Sequence, residues 1–313
     1  MRDLILGGGG FLGLHLVRQL REQGRQLILL SRSFKFREAL QESPELTLVP
    51  GDYLNSGILE SVMSGVEIVY HLVSTTIPYS SNLDPVYDIS TNVGGTIQLL
   101  QTCLERGVKR VVFISSGGTV YGLPKTVPIT ELHPTDPVSS YGISKLCVEK
   151  YLQLYHALYG LDFRILRLSN PYGEYQLPTG RQGVIAAFID KALRDEPINI
   201  WGDGLTVRDY LHAEDAAKAI RLAADYEGPE KTFNIGSGSG MSLNQIVGEI
   251  EAVLQKKLKI SYQPARRFDV PANILDIERA RQHLSWSPQI AFAEGLRRTF
   301  SWLQTDPSAR IKD

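Results

Sequence analysis

Leu4-Ile5-Leu6-Gly7-Gly8-Gly9-Gly10-Phe11-Leu12-Gly13 decides how this 313-residue chain is read. Three apolar residues make a short buried strand. Gly7, Gly10 and Gly13 then stand three apart, just ahead of an amphipathic stretch from Leu12 to Gln23. A strand that turns through bare backbone into a helix points amide N–H groups and the positive end of the helix dipole at one place, where a pyrophosphate fits. A merely permissive turn does not explain four consecutive glycines, so Gly7, Gly10, Phe11, Leu12 and Gly13 are expected to bind a dinucleotide.

Outward from that loop, short apolar runs alternate with longer amphipathic ones. Leu27 to Leu30, Leu46 to Val49, Ile68 to Leu72, Val111 to Ile114 and Phe163 to Leu168 read as strands, and Val86 to Arg106 and Tyr141 to Tyr159 as helices. Buried strands joined by crossover helices predict an α/β fold, a doubly wound parallel sheet of the Rossmann type. Pro171, Gly173, Pro178, Gly180 and Gly183 crowd together after Asn170 and mark a boundary. Beyond it, Ala213 to Asp225 and Ser242 to Lys256 read as helices, the second capped by Ser242, and Lys231 to Ile235 as a strand. The expected division is a dinucleotide-binding core, residues 1–169 with about 206–238, and a smaller C-terminal substrate lobe, about 170–205 with 239–313. Pro307 to Asp313 reads as a loose tail.

Composition narrows the partners. Hydrophobic residues at 43% and charged residues at 21% describe an ordinary globular chain. Lys+Arg number 33 against 34 Asp+Glu, a formal net charge of -1, which excludes a nucleic-acid or anionic-membrane partner bound through overall charge. Cys103 and Cys147 are too few for a disulfide framework and sit in no metal-ligand spacing, so no metal and a cytoplasmic location are expected. No apolar run is long enough to span a membrane, and Met1-Arg2-Asp3 lacks the layout of a signal peptide.

The second strand ends in Ser31-Arg32-Ser33, where an NAD-binding fold places an acid on the ribose 2′-hydroxyl. Ser31, Arg32 and Ser33 instead suit a 2′-phosphate, so the cofactor is NAD or NADP with NADP slightly favoured. Asp52, in Gly51-Asp52-Tyr53, is placed either to accept the adenine amino group or simply to form a turn. Tyr141 and Lys145 are four apart on one helix, so they share a face, and a lysine cation together with a cofactor's positive nicotinamide favours the phenolate. Upstream, Ile114-Ser115-Ser116-Gly117-Gly118-Thr119-Val120-Tyr121-Gly122 ends a strand at the carboxyl edge of the sheet, where doubly wound folds bind ligands.

From Gly7 to about Trp302, these motifs together with Gly51-Asp52, His71-Leu72, Asn92-Val93-Gly94-Gly95-Thr96, Arg167-Leu-Ser-Asn170-Pro-Tyr-Gly173, Trp201-Gly-Asp-Gly204 and Val207-Arg208-Asp209-Tyr210 resemble the extended short-chain dehydrogenases/reductases. Within them the chain is most similar to the nucleotide-sugar epimerase/dehydratase branch and its UDP-glucose (galactose) 4-epimerases. The resemblance implies that Tyr141 removes the sugar 4-hydroxyl proton and that Lys145 binds the nicotinamide ribose. It places Tyr53, Leu72, Val73, Ser74, Asn92, Ser115, Leu168 and Asn170 along the cofactor. It assigns the UDP-sugar to Ser116, Gly117, Asn170, Val184, Asn199, Trp201, Arg208, Arg266, Asp269 and Asn273, the two arginines on the pyrophosphate. Asn273 stands where a bulky tyrosine limits sugar size in the family, which implies that N-acetylated sugars also fit. A homodimer through a four-helix bundle, made by the helices Val86 to Arg106 and Tyr141 to Tyr159 with Cys103 and Cys147 at the interface, is likewise implied.

One departure matters. The family's catalytic Ser or Thr falls on Gly117, so Ser116, with Thr119 second, is expected to supply the hydroxyl. Gly118-Thr119 also replaces the Asp-Glu pair with which related dehydratases eliminate water. What remains is redox chemistry at one sugar carbon: 4-epimerisation of UDP-glucose/UDP-galactose and the N-acetyl forms through a 4-keto sugar, or, as the rival, NADP-dependent reduction of a 4-keto sugar nucleotide.

Overall fold

In β1 (Arg2–Leu6), Leu4, Ile5 and Leu6 are wholly buried, because strands lie along both of its edges and helices cover both of its faces. A computed structural model describes residues 1–40, 43–178, 183–264 and 270–306. After β1 the chain runs through α1 (Phe11–Arg21), β2 (Gln26–Ser31), β3 (Leu46–Pro50), α2 (Ser56–Val62) and β4 (Ile68–His71). Two short helices follow, α3 (Pro78–Leu83) and α4 (Pro85–Asp88). Then come a π-helical turn (Ile89–Gly94), α5 (Gly95–Glu105), β5 (Arg110–Ser116), α6 (Ser140–Tyr159) and β6 (Asp162–Leu168).

The irregular zone after Asn170 holds more structure than its prolines and glycines suggest: β7 (Asn170–Tyr172), α7 (Val184–Leu193), β8 (Ile198–Trp201), β9 (Val207–Arg208) and β10 (Tyr210–His212). The chain then forms α8 (Ala213–Asp225), β11 (Thr232–Ile235), β12 (Met241–Ser242) and α9 (Leu243–Leu254). It ends in β13 (Ile260–Gln263), β14 (Ala272–Asn273), α10 (Glu278–Leu284) and α11 (Phe292–Thr305). Ser242 caps α9 in a reciprocal box with Gln245. The expected tail, Pro307 to Asp313, lies outside the described residues.

The main sheet has seven parallel strands in the order β11-β6-β5-β4-β1-β2-β3. Strand order reverses between β1 and β4, and ligands bind at such a switch point, beyond the carboxyl ends of the strands. The two edges of the sheet differ in kind. At the amino edge charges are paired, Arg25 with Asp3 at 2.7 Å, and Arg110, Arg164 and Lys231 on Asp162 at 2.6, 2.7 and 2.7 Å. The carboxyl edge carries the glycine loop, Tyr141 and Lys145. Apolar clusters fill both faces, and α8 packs its row of buried alanines closely on α1. A third cluster joins Ile185, Phe188, Ile189, Ile198, Ile200, Ile246, Ile250 and Leu296 from α7, β8, α9 and α11.

The stretch Val86 to Arg106 is not one helix. Asn92 sends its Nδ2 to the Asp88 carbonyl at 3.0 Å, and Thr91 and Thr96 send hydroxyls to the carbonyls of Tyr87 and Asn92 at 2.7 and 2.6 Å. Side chains that serve carbonyls one turn back loosen the regular ladder, and here the chain widens into a π turn. Cys103 also departs from expectation: it is wholly buried under the sheet rather than on an outer face, while Cys147 is half-buried. No helix among the described residues is long and apolar enough to cross a membrane.

A methyl at Gly13 would lie 2.4 Å from the Gly7 carbonyl oxygen and 2.7 Å from Gly8 Cα, both backbone atoms that cannot step aside. Gly13→Ala is therefore expected to cost about 1–3 kcal/mol, as overpacking does. Urea unfolding with an unchanged midpoint would contradict this.

Candidate active site

The glycine loop sits at the switch point. Gly7, at φ +85°, turns the chain out of β1 and donates its N–H to Leu30 O at 2.8 Å; Gly10 donates to Gly7 O at 2.9 Å and caps α1. No side-chain hydrogen bond caps that helix among the described residues and no acid lies in its first turn, so its leading amides are left for an anion. A Cβ on Gly9 would stand 2.4 Å from Ser33 O, which puts the Ser31–Ser33 segment against the loop. Ser31 donates its hydroxyl to Ser33 O at 3.0 Å, and Arg32 is exposed. Val73 lies close to Gly7, so the end of β4, with Leu72, walls the loop on its other side.

Other expected cofactor residues have their polar atoms occupied. Asp52 accepts from Leu54 N at 3.1 Å, in a turn-forming role. Tyr53 is buried and donates to Thr91 O at 2.8 Å, and Ser115 donates to the Glu149 carboxylate. Asn170 donates its Nδ2 to Asp209 O at 2.9 Å, and Leu168 accepts from Gly117 N at 2.9 Å. Asn92 joins the π turn to the chain after β4: its Oδ1 accepts from Thr75 N at 3.0 Å, its Nδ2 donates to Asp88 Oδ1 at 2.9 Å, and Ser74 Oγ lies 3.5 Å away.

Tyr141 and Lys145 lie on the first turns of α6. Ser139 caps that helix by accepting from Gly142 N at 3.2 Å, and Ser81 and Asn82 of α3 accept from the N–H groups of Tyr141 and Ser140 at 3.0 and 2.9 Å. Together with His71, Ser74, Asn92 and Phe113 the pair lines one cavity. Lys145 is 7% exposed; its Nζ donates to Ile114 O at 2.8 Å and stands 4.7 Å from the Phe113 ring centre and 5.6 Å from that of Tyr141. Burial pulls the ammonium down to about 8, opposed by the Asp88 and then the Glu149 carboxylate. Burial likewise pushes the Tyr141 phenol up to about 12; a hydrogen bond with Ser74 works against the rise and the Asp88 charge adds to it. Of the two positive charges expected to favour the phenolate, Lys145 stands in place and the nicotinamide would come with the cofactor. His71 donates to or accepts from Thr96 Oγ1 at 2.9 Å, and burial, then Lys145, lowers it to about 3, so it is neutral.

At Gly117 the structure explains the missing hydroxyl. A Cβ there would lie 2.6 Å from Leu275 Cδ1 and 3.0 Å from its Cδ2, so Leu275 occupies the room a serine would need. Asn273, 1% exposed, donates its Nδ2 to Gly117 O at 3.1 Å, and its Oδ1, like the buried Thr119 Oγ1, has no hydrogen-bond partner among the described residues. Ser116 stands half-buried at the end of β5. Arg208 does not pair with Asp209: it donates to the carbonyls of Val207 and Val270 at 2.8 and 2.7 Å, while Asp209 accepts from Ser237 N, Ser237 Oγ and Leu275 N at 2.7, 2.8 and 3.3 Å. Val184 opens α7. Asn199 and Trp201 share the exposed face of β8, opposite Ile198 and Ile200. Arg266 and Asp269 lie outside the described residues. Among the described residues no three His, Cys, Asp or Glu gather as metal ligands.

Sequence reading missed Asp88, Glu149 and Leu275. The one available signal was spacing: Asp88 stands four before Asn92, and Glu149 four after Lys145, each on the same helical face.

A glycine loop at the switch point of a doubly wound sheet, facing a Tyr-x-x-x-Lys pair, defines a dinucleotide-binding oxidoreductase-type site. The NAD dependent epimerase/dehydratase family matches residues 4–236, and the chain belongs to it. It is 36% identical over 304 residues to a putative UDP-glucose 4-epimerase of Methanocaldococcus jannaschii, covering 97% of this chain and 98% of that one. It is also 36% identical over 303 residues to the dTDP-4-dehydro-6-deoxyglucose reductase of Escherichia coli, covering 94% of each. Among solved structures, the UDP-glucose 4-epimerase of Thermotoga maritima with UDP-glucose aligns at a TM-score of 0.90 and 33% identity, over 97% of this chain and 99% of that one.

The Gly117–Leu275 contact is testable by a double-mutant cycle. Gly117→Ser is expected to cost about 1–3 kcal/mol and Leu275→Ala about 2–5 kcal/mol. The double variant should lose at least about 1 kcal/mol less than the sum, because the serine fills the vacated space. Strict additivity in urea midpoints would refute the contact.

Proposed function

We propose that this chain is a cytoplasmic nucleotide-sugar 4-epimerase that interconverts UDP-glucose with UDP-galactose, and their N-acetyl forms, through a 4-keto sugar. The observation that carries the reading is the half-buried Tyr141 with the buried Lys145, lining one cavity with Val73, which packs on Gly7, and with Gly118-Thr119 where dehydratases carry acids. The loop fits a dinucleotide by its own geometry, since side chains at Gly9 or Gly13 would collide with backbone and the amides at the start of α1 have no side-chain acceptor. NAD or NADP would be held there, with Ser31, Arg32 and Ser33 at the 2′ position tolerating a phosphate. The bound nicotinamide supplies the hydride acceptor and donor at one sugar carbon.

The chain's own groups do the rest. Tyr141 takes the 4-hydroxyl proton once a positive charge arrives beside it and lowers its pKa, and it returns that proton after the sugar has turned. Lys145, fixed on Ile114 O, keeps a positive charge near the phenol and the nicotinamide ribose. Ser116, or Thr119 through a hydroxyl that has no partner among the described residues, donates to the sugar oxygen. Arg208 and Arg266 neutralise the diphosphate, Asp269 meets the ribose, and Asn199 and Trp201 meet the uracil. A firmly held diphosphate and a wall without side chains at Gly117 and Gly118 let the sugar present either face, and the short Asn273 leaves room for an N-acetyl group. Val86, Ile89, Ile143, Leu154 and Leu158 are exposed apolar residues on α4, the π turn and α6, suited to a homodimer through four helices.

NADP-dependent reduction of a 4-keto sugar nucleotide is the second reading, favoured by Arg32 and by likeness to the reductase relative. Two measurements separate them. Epimerisation predicts interconversion of at least one UDP-sugar pair with no net change in NAD(P)H absorbance, reduced about a hundredfold or more in Tyr141→Phe. No interconversion of either pair, with or without added cofactor, together with NADPH consumption on a 4-keto sugar nucleotide, would overturn it. Nucleotide released on denaturation and identified by mass should be retained NAD or NADP; empty protein that fills only with NADPH would favour the reductase.

A further inference from the structure

Asp88 is a wholly buried carboxylate to which the proposed reaction gives no task. Its Oδ1 accepts from Thr76 Oγ1 and from Asn92 Nδ2 at 2.9 Å, and its Oδ2 accepts from Ser140 Oγ and Ser144 Oγ, both at 2.7 Å. These donors come from three segments: the chain after β4, the π turn and α6. Ser140 and Ser144 are one helical turn apart, and each immediately precedes one member of the Tyr141–Lys145 pair. A single carboxylate oxygen therefore clamps the serine row of α6, and with it the rotation that aims the adjacent tyrosine–lysine row.

The charges around Lys145 are not equivalent. From its own helix it meets Tyr141 and Glu149, from β4 the neutral His71, from β5 only the Phe113 ring and the Ile114 carbonyl, and from α4 Asp88. Glu149 shares its charge with Arg167, which pairs with it at 2.7 Å, so it acts on Lys145 less than Asp88 does. Every hydrogen-bond partner of Asp88 is uncharged, so its negative charge reaches the pair uncancelled.

We propose that Asp88 is a positioning residue that aims the Tyr141–Lys145 face of α6 through Ser140 and Ser144, and that its charge sets the pH window in which that pair works. The inference rests on the reading of Tyr141 as the proton acceptor. A nearby carboxylate favours the ammonium and opposes the phenolate, so removing it lowers both pKa values. The two limbs of the rate profile, to which Tyr141 and Lys145 both contribute, should then move together to lower pH.

Asp88→Asn keeps shape and removes charge. In this variant Lys145, followed by NMR of carbon-13-labelled lysine and assigned with Lys145→Arg, should titrate about one pH unit lower, and both limbs of UDP-sugar interconversion should shift likewise. The Ser140→Ala/Ser144→Ala double variant keeps the charge and loses the clamp, so its kcat should fall about tenfold or more with both limbs in place. An unchanged Lys145 titration in folded D88N overturns the charge effect, and an unchanged kcat in the double variant overturns the clamp. Because the NMR titration needs no substrate, a shifted Lys145 in a protein that interconverts no sugar pair supports Asp88's role and counts against the epimerase reading alone.

Discussion

Keeping the Lys145 ammonium out of water is the constraint from which much of this structure follows. Withdrawing a cation from solvent costs on the order of several kcal/mol unless charge and hydrogen bonds replace the lost water. The Ile114 carbonyl and the Phe113 ring supply the nearest contacts, and the Asp88 and Glu149 carboxylates supply the compensating charge. Each carboxylate is itself buried and must be satisfied in turn. Glu149 is met by Arg167 and Ser115; Asp88 is met by Thr76, Asn92, Ser140 and Ser144. Arg167 donates onward to the Tyr121 hydroxyl at 3.0 Å, and Tyr121 to Asn234 at 2.6 Å. One buried amine thus ties β5, α6, β6, β11 and the π turn into a single polar network, which is why Arg167 stands in the otherwise apolar β6.

The fold was legible because its signal is periodic and local. Leu4 to Leu6, Leu27 to Leu30 and Phe163 to Leu168 are apolar runs too short for helices, and covering them on both sides requires crossover connections. Ala213 to Asp225 was legible to the residue, because His212 caps one end and the alanine row sets the helical period. Val86 to Arg106 misled for the same reason: its apolar period continues across the break, while the side-chain-to-carbonyl bonds of Asn92, Thr91 and Thr96 that open the π turn leave no mark in hydrophobicity. After Asn170, strands of two to four residues carry too few positions to establish any period.

The candidate site was legible where chemistry requires a fixed backbone spacing, as in the glycine loop and in Tyr141 and Lys145. It was opaque where contacts join distant segments. Nothing near Gly117 in the chain announces Leu275, and nothing near Asp88 announces Ser140 and Ser144, about fifty residues on. Polar residues read singly were also ambiguous in purpose. Asp52, Ser115 and Asn92 all stand where a cofactor passes in the family, yet each spends hydrogen bonds on the protein.

Gly117 and Leu275 show how a site can lose a side chain and keep its shape. A hydroxyl at residue 117 and the isobutyl group of Leu275 compete for the same few ångströms, so neither position can be read alone. With Leu275 in place, the backbone at Gly117 closes against β6 through Leu168 O and against β14 through Asn273. Ser116 and Thr119 are then the hydroxyls nearest to Gly117 in the chain. What a substitution at Gly117 does to catalysis depends first on whether Leu275 can yield.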